Sequence, residues 1–460
     1  MDIKSKIAQV ENLHIEEIKV QRFGKSFEVY PWIKSRIFHK VMMGNEVLQE
    51  KTSSVFKEQI RSLFYGFFSF FRKYDAWAFT NSSERVLLDG KYLDKVMDPL
   101  TIARPIKLLV VELQLFKRYK RSEVTSKKVV SRAWIVFLEE FYMRLFLRKI
   151  TVEGQTVIAE MEKCLNTSVE VNSIARKYLA QYRIMKFLLW LLPKPKVVFH
   201  TVSYANFGYI RAWKEAGIRV VEMQHGLIGD GHYGYVYHKA LNENQFPDDI
   251  LVFGEQDKKF FEEQTRIPIK KAIPVGRYIL DYYKRNAVPN KVPVKNILVS
   301  LQDSEWSNAM LDFVLEIDKR EPGKFNWIIQ PRRTPETVYR EQYIFPENFV
   351  FSDSSVYKAI GKADAHITIF STTAIESLSI GKPTFLYDFE NAGSTYLGQF
   401  LASNPNAYFC ATVDSFIETC DQLKLAGLDE IAESNSSNIS SDYLQKISAY
   451  IDEVNEVVQK

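Results

Sequence analysis

At 460 residues the chain exceeds one ordinary domain, and two of roughly 200 residues are expected. Its 46% hydrophobic content suits a globular protein with two cores, and a net charge of +5 (61 basic against 56 acidic residues) is too small to imply a nucleic-acid partner. Cys164, Cys410 and Cys420 form no CxxC and no metal-ligand spacing, which excludes a disulfide framework and fits a reducing cytoplasm.

The first stretch, MDIKSKIAQVENLHIEEI, is charged throughout and lacks an apolar h-region, so export is not expected. Residues 26–75 are aromatic and basic, with helical spacing in SFEVYPWIKSRIFHKVMM and RSLFYGFFSFFRKYD. Two readings fit: core-facing amphipathic helices, or a basic aromatic face resting on an anionic membrane surface. LFYGFFSFF and FLLWLLP are far shorter than the ~20 residues of a spanning helix. DAWAFTN reads as the first true strand, followed by the polar turn Ser82-Ser83-Glu84-Arg85 and an Asp-Gly tight turn in LLDGKYLDKVMDPL. IKLLVVEL is a second strand, and residues 129–149 and 171–192 read as long helices.

From Lys196 the periodicity alternates at short spacing. KVVFHTV, IRVVEMQHG and DDILVFG are strands; ANFGYIRAWKEAG and DKKFFEEQTR are helices; KKAIPVGRY follows. This predicts a parallel, doubly wound sheet. A linker is expected at 286–295, RNAVPNKVPV. Beyond it KNILVSL, NWIIQ, ENFVFS, AHITIF, TFLYD and AYFCA repeat the architecture, and an amphipathic helix near Tyr443 to Val458 ends the chain. The expected domains are 1–290, 291–440 and a terminal helix at 441–460.

Two stretches carry candidate chemistry. In IFSTTAIESLSIGKPTFLYD a strand gives way to Ser371, Thr372 and Thr373, then to a helix that Gly381 and Pro383 end. A helix start of this kind offers unpaired N–H groups, partial positive charge and three hydroxyls to a phosphate, or is an ordinary N-cap. Ligands sit beyond the carboxyl ends of strands in such sheets, which gathers Gln302, Asp303, Arg332, Arg333, Ser371–Thr373 and Phe389–Asn391 on one edge. Glu376 would accept hydrogen bonds from sugar hydroxyls or stabilise the helix start. The second stretch is Gln224-His225-Gly226 with LIGDGHYGY, where His225, His232 and Asp230 follow a strand end. A His there would act as general base or as hydrogen-bond donor to phosphate, or be structural; Asp230 is a further candidate base, and the glycines allow close approach. There is no Walker A loop, HExxH, GxSxG, DxD-type clamp or strand-borne GxGxxG, so no metal and no cofactor is expected.

RVVEMQHGLIGDGHYGY, DDILVFGEQDKKFFEEQ, IPVGRYILDYY and IFSTTAIESLSIGKPTFLY together resemble bacterial surface-polysaccharide glycosyltransferases of the GT-B type. These are the capsule and lipopolysaccharide enzymes related to Kdo, sialic-acid and polyol-phosphate transferases. The resemblance covers about residues 196–400. SERVLLDGKYLDKVMDPL is similar to an early segment of such proteins, which puts Ser83 and Arg85 beside Gln224 and Gly226 as acceptor-side candidates. It implies an α/β protein of two Rossmann-like domains facing a central cleft. The second would bind a nucleotide-sugar donor through Ser371, Thr372, Thr373 and Glu376, and the first would supply the acceptor site, with His225 in the cleft. Gln330-Pro331-Arg332-Arg333 departs from the His-Pro pair of many relatives, which leaves the donor nucleotide open, CMP included. The expected activity is metal-independent sugar transfer to a surface polysaccharide or lipid-linked glycan at the inner face of the cell membrane. Alternatives are a CDP-alcohol polyol-phosphate transferase, a nucleotide-sugar 2-epimerase and a non-catalytic subunit of a polysaccharide assembly machine.

Overall fold

The computed structural model describes residues 3–43, 52–115, 118–229, 231–302, 305–424 and 426–459. The chain divides into two compact units. The first runs to Val252 and takes in Asp257–Ile273 and the chain from Leu444; the second holds Phe253–Gln256 and Pro274–Tyr443.

The first unit is built on a seven-stranded sheet. Its strands are β1 (Ala76–Asn81), β2 (Leu108–Leu113), β3 (Val129–Ser131), β4 (Val197–His200), β5 (Arg219–Met223), β6 (Asp249–Val252) and β7 (Lys271–Pro274), in the order β7-β6-β5-β4-β1-β2-β3. The six from β6 to β3 pair in parallel. Their apolar runs are nearly continuous because helices cover both faces. Helices Val171–Leu191 and Phe207–Glu215 pack closely, and Gly208 permits this: a Cβ there would stand 2.2 Å from the Tyr178 carbonyl oxygen.

Two expectations for this unit change. Residues 26–75 are not helical throughout. Ser26–Glu28 belong to a hairpin of Lys19–Arg22 with Lys25–Glu28, helices follow at Tyr30–Met43 and Thr52–Ser62, and Phe67–Phe71 form a 3-10 turn. Gly66 breaks the pattern with φ 74, in a spot where a Cβ would lie 2.1 Å from the Val129 carbonyl oxygen. Residues 129–149 begin as β3, and only Ala133–Phe146 are helical. Three β-branched or small residues at a sheet edge are too short a run for periodicity to separate from the helix that follows.

In the second unit all six expected strands form. They are β8 (Asn296–Ser300), β9 (Asn326–Gln330), β10 (Phe349–Phe351), β11 (Ala365–Thr368), β12 (Thr384–Tyr387) and β13 (Ala407–Cys410), in the order β10-β9-β8-β11-β12-β13 and wholly parallel. Helix Thr373–Ile380 ends at Gly381, whose φ of 93 no other residue adopts easily and whose Cβ position lies 2.4 Å from the Leu428 carbonyl oxygen. The stretch 286–295 lies inside this unit. Asn290 donates to the Gly381 and Ala426 carbonyls at 2.9 Å each, and buried Lys382 donates to the Val288 carbonyl at 2.6 Å. Proline and polar residues there mark a strap held down on the surface, a composition it shares with linkers. The terminal helix, Tyr443–Gln459, groups almost entirely with the first unit, where Tyr450 donates to Asp249 at 2.6 Å.

Each sheet has one topological switch point. In the first the chain leaves β1 toward β2 and β3 and returns on the other side at β4; in the second it leaves β8 toward β9 and β10 and returns at β11.

Candidate functional site

A pocket of about 490 Å³ opens at the switch point of the second sheet, beyond the carboxyl ends of β8, β9 and β11. It is lined by Gln302, Gln330, Arg332, Ser371, Thr372 and Thr373, among others, so these members of the expected edge are brought together, while Phe389–Asn391 are not part of the lining. Arg333 is exposed and not part of the lining, and Asp303 lies outside the described residues. Gln302 is buried and accepts the Phe370 N–H at 3.0 Å, which ties the two strand ends together. Ser371 Oγ accepts the Thr373 N–H at 3.3 Å. Thr372 is exposed and, as N-cap, makes no side-chain capping bond, so its hydroxyl is not consumed by the helix.

His366 is a member of this site that sequence reasoning missed. It sits in β11 with no exposed surface, 2.9 Å from Ser300 Oγ and 3.4 Å from Thr373 Oγ1. Burial pushes its pKa down to about 3. The imidazole is therefore neutral and positions the Thr373 hydroxyl through one ring nitrogen. The signal was a single polar ring inside the apolar run AHITIF. Between about pH 6.5 and pH 3 the unfolded chain binds a proton at this histidine that the folded chain does not, so stability falls as pH drops through that window. His366→Gln removes this term. Relative to the parent, the variant should gain about 1.4 kcal/mol per pH unit below pH 6 in urea unfolding series.

Glu376 is held in place by a cation. It lies at the third helical position after Thr373 and faces helix Tyr278–Arg285, where it accepts from the Arg277 guanidinium and from Tyr357 Oη at 3.2 Å. A carboxylate buried to this degree needs a cation, and Arg277 supplies it. Both of these bonds fall on Oε1, which leaves Oε2 for the hydroxyls expected from the sequence.

In the first unit a pocket of about 390 Å³ opens at the corresponding switch point, between the ends of β1 and β4, where Asn81, Thr201 and Asn206 contribute. The QHG loop follows β5, one strand further along. Gln224 is buried and donates to the Gly226 carbonyl at 2.9 Å and to Asp257 at 3.0 Å, which fixes the loop. His225 and His232 are held at about 4, chiefly by burial, so both rings are neutral at physiological pH. His232 Nδ1 accepts the Gly234 N–H at 3.3 Å. Gly226 has open space where a Cβ would stand, whereas Gly234 is a packing glycine against the Tyr204 ring at 2.6 Å. None of Gln224, His225, Gly226 and His232 lines the pocket, and Asp230 lies outside the described residues.

Arg85 is not an acceptor-side residue. Its side chain has no exposed surface, pairs with Glu112, lies 3.8 Å from Asp98 and donates to Ser126 at 3.2 Å. It neutralises a buried carboxylate cluster beneath the hairpin of Arg85–Leu88 with Lys91–Asp94. Ser83 is exposed, and its N–H donates to Asn81 Oδ1 at 3.0 Å, so it shapes the turn after β1.

No protein-family model matches the sequence, and comparison with curated proteins finds no match. Solved structures do match. CalG4, the calicheamicin glycosyltransferase, aligns at 12% identity and a TM-score of 0.50 over 85% of this chain and 100% of its own. A Listeria monocytogenes protein assigned as a UDP-N-acetylglucosamine 2-epimerase aligns at 11% identity and a TM-score of 0.51 over 84% of this chain and 98% of its own. The fold is of this GT-B type, two parallel-sheet α/β domains.

Proposed function

We propose that the chain transfers a sugar from a nucleotide-activated donor to a glycan or lipid-linked glycan of a bacterial surface. The observation that carries this reading is the second-unit pocket, where Ser371–Thr373 and Arg332 meet at the switch point of a parallel sheet. The donor phosphate would rest on the helix start, and the amides and Arg332 would stabilise the leaving nucleotide without a metal. The acceptor oxygen would attack the anomeric carbon while a first-unit group, His225 in this reading with Asp230 and His232 as the other candidates, takes its proton. A screen of CMP, UDP, GDP and CDP should find one nucleotide that raises the melting temperature by several degrees. Failure of all four would end the reading.

A second reading, a nucleotide-sugar 2-epimerase, draws on the likeness to the Listeria protein. Epimerised nucleotide sugar formed without any acceptor is its expected product, and mass-neutral turnover seen by NMR would favour it over transfer.

Contact with the membrane belongs to the same proposal. No described helix is long and apolar enough to cross a membrane. Helix Ala133–Phe146 exposes Phe137, Phe141 and Leu145 at four-residue spacing, and Phe64 and Phe68 are exposed at the same spacing. Arg144, Arg148 and Lys149 stand close in sequence, the composition of a face that lies on anionic lipid. The protein should float with phosphatidylglycerol vesicles and not with phosphatidylcholine vesicles, and Phe68→Ser with Phe141→Ser should abolish flotation.

A further inference from the structure

The first-unit pocket holds charged groups that the reading above does not use. Arg132 and Lys177 line it together with Glu139, Glu140, Gln181 and Asn206. Glu139 is buried and accepts from the Tyr209 hydroxyl. Arg132 donates to Asn206 Oδ1 at 3.2 Å and lies over the Tyr209 ring at 4.8 Å. Among the described residues neither Arg132 nor Lys177 forms a direct ion pair, and Glu139 acts on both only at longer range. Lys177 feels the crowding: burial, Arg36 and Arg132 pull its pKa down to about 8 against the opposing pull of Glu139 and Glu140.

Two further atoms are unsatisfied. Gln181 is 1% exposed; its Nε2 donates to the Ala205 carbonyl at 3.2 Å, while its Oε1 has no partner. Arg132 Nε has none either. A buried carbonyl oxygen without a donor costs about 1–3 kcal/mol, a cost that a ligand hydroxyl would remove. The pocket therefore presents two cations with no carboxylate in direct contact, a Glu139 carboxyl that burial raises to about 7 and so only partly offsets them, an acceptor awaiting a hydroxyl, and apolar walls from Phe79, Val136 and Met143.

We infer that this pocket binds an anionic monosaccharide unit, a sugar carboxylate or a sugar phosphate, with Lys177 and Arg132 on the anion and Gln181 Oε1 on a ring hydroxyl. The inference rests on the transferase reading in taking this unit to be a part of the acceptor glycan next to the reacting residue. Its binding test does not depend on turnover.

Glucuronate, glucose 6-phosphate and glucose are titrated at millimolar concentration into the intact chain at constant ionic strength, followed by saturation-transfer NMR and calorimetry. At least one of the two anions should bind tenfold or more tightly than glucose. Which of them binds distinguishes carboxylate from phosphate. Lys177→Met should weaken that binding at least tenfold, Lys177→Arg should restore it, and both variants should keep the parent melting temperature and nucleotide response. Equal binding of glucose, no binding of either anion, or undiminished binding in a folded Lys177→Met protein would overturn the inference. Anion binding in a chain that answers to no nucleotide would leave this site standing and remove the transferase reading alone.

Discussion

Arg85→Met is expected to destabilise the first unit by about 3–5 kcal/mol, the usual cost of stripping the cation from a buried carboxylate cluster. The guanidinium lies amid Glu112, Asp94 and Asp98, all of which are buried. Even with Arg85 present, burial and the Asp94 charge raise the Asp98 carboxyl to about 6. Without it the carboxyls must take up protons to stay inside. Groups whose folded pKa is raised lose stabilising power as pH rises above their unfolded value, so the penalty should grow between pH 5 and pH 8. Urea unfolding at both pH values measures it. A loss below about 1 kcal/mol, or one that shrinks with rising pH, would show that the cluster is not held by this residue. On a total of ~5–15 kcal/mol the expected loss suffices to unfold a marginal domain.

The second large effect concerns activity. Thr372→Ala with Thr373→Ala should lower transfer by about 100-fold or more, on the scale of removing donors that face developing negative charge. The fold should survive. Thr372 caps nothing with its side chain, and Thr373 gives up one long contact to His366 while His366 keeps Ser300. The cost in stability is about 1 kcal/mol. The melting shift produced by the preferred nucleotide should shrink in parallel. Unchanged turnover with an unchanged melting temperature would remove the phosphate seat.

Much of the second unit was legible because its information is local. Six apolar strands of three to five residues, punctuated by glycine and proline, specify a buried parallel sheet, and the rule that ligands gather beyond their carboxyl ends then assembles Gln302, Arg332 and Ser371–Thr373 without any long-range knowledge. The ion pairs that went unseen were those whose partners are remote in sequence. Glu376 and Arg277 are 99 positions apart, and Arg85 and Glu112 are 27 apart. A charged residue near a glycine-rich turn looks like a ligand until the opposite charge that buries it is in view.

The same contrast governs the first unit. Its motif, QHG after β5, stands out in the sequence, yet the pocket lies at the β1–β4 switch point and is lined by residues from segments scattered between Gln59 and Asn206. Alternating periodicity by itself determined that this chain folds as two doubly wound sheets, since a strand or a helix is a property of neighbours along the backbone. Only the tertiary structure decided which charges are spent on each other and which are left facing a cavity. Burial and Coulomb energy depend on distances through space that no local pattern encodes.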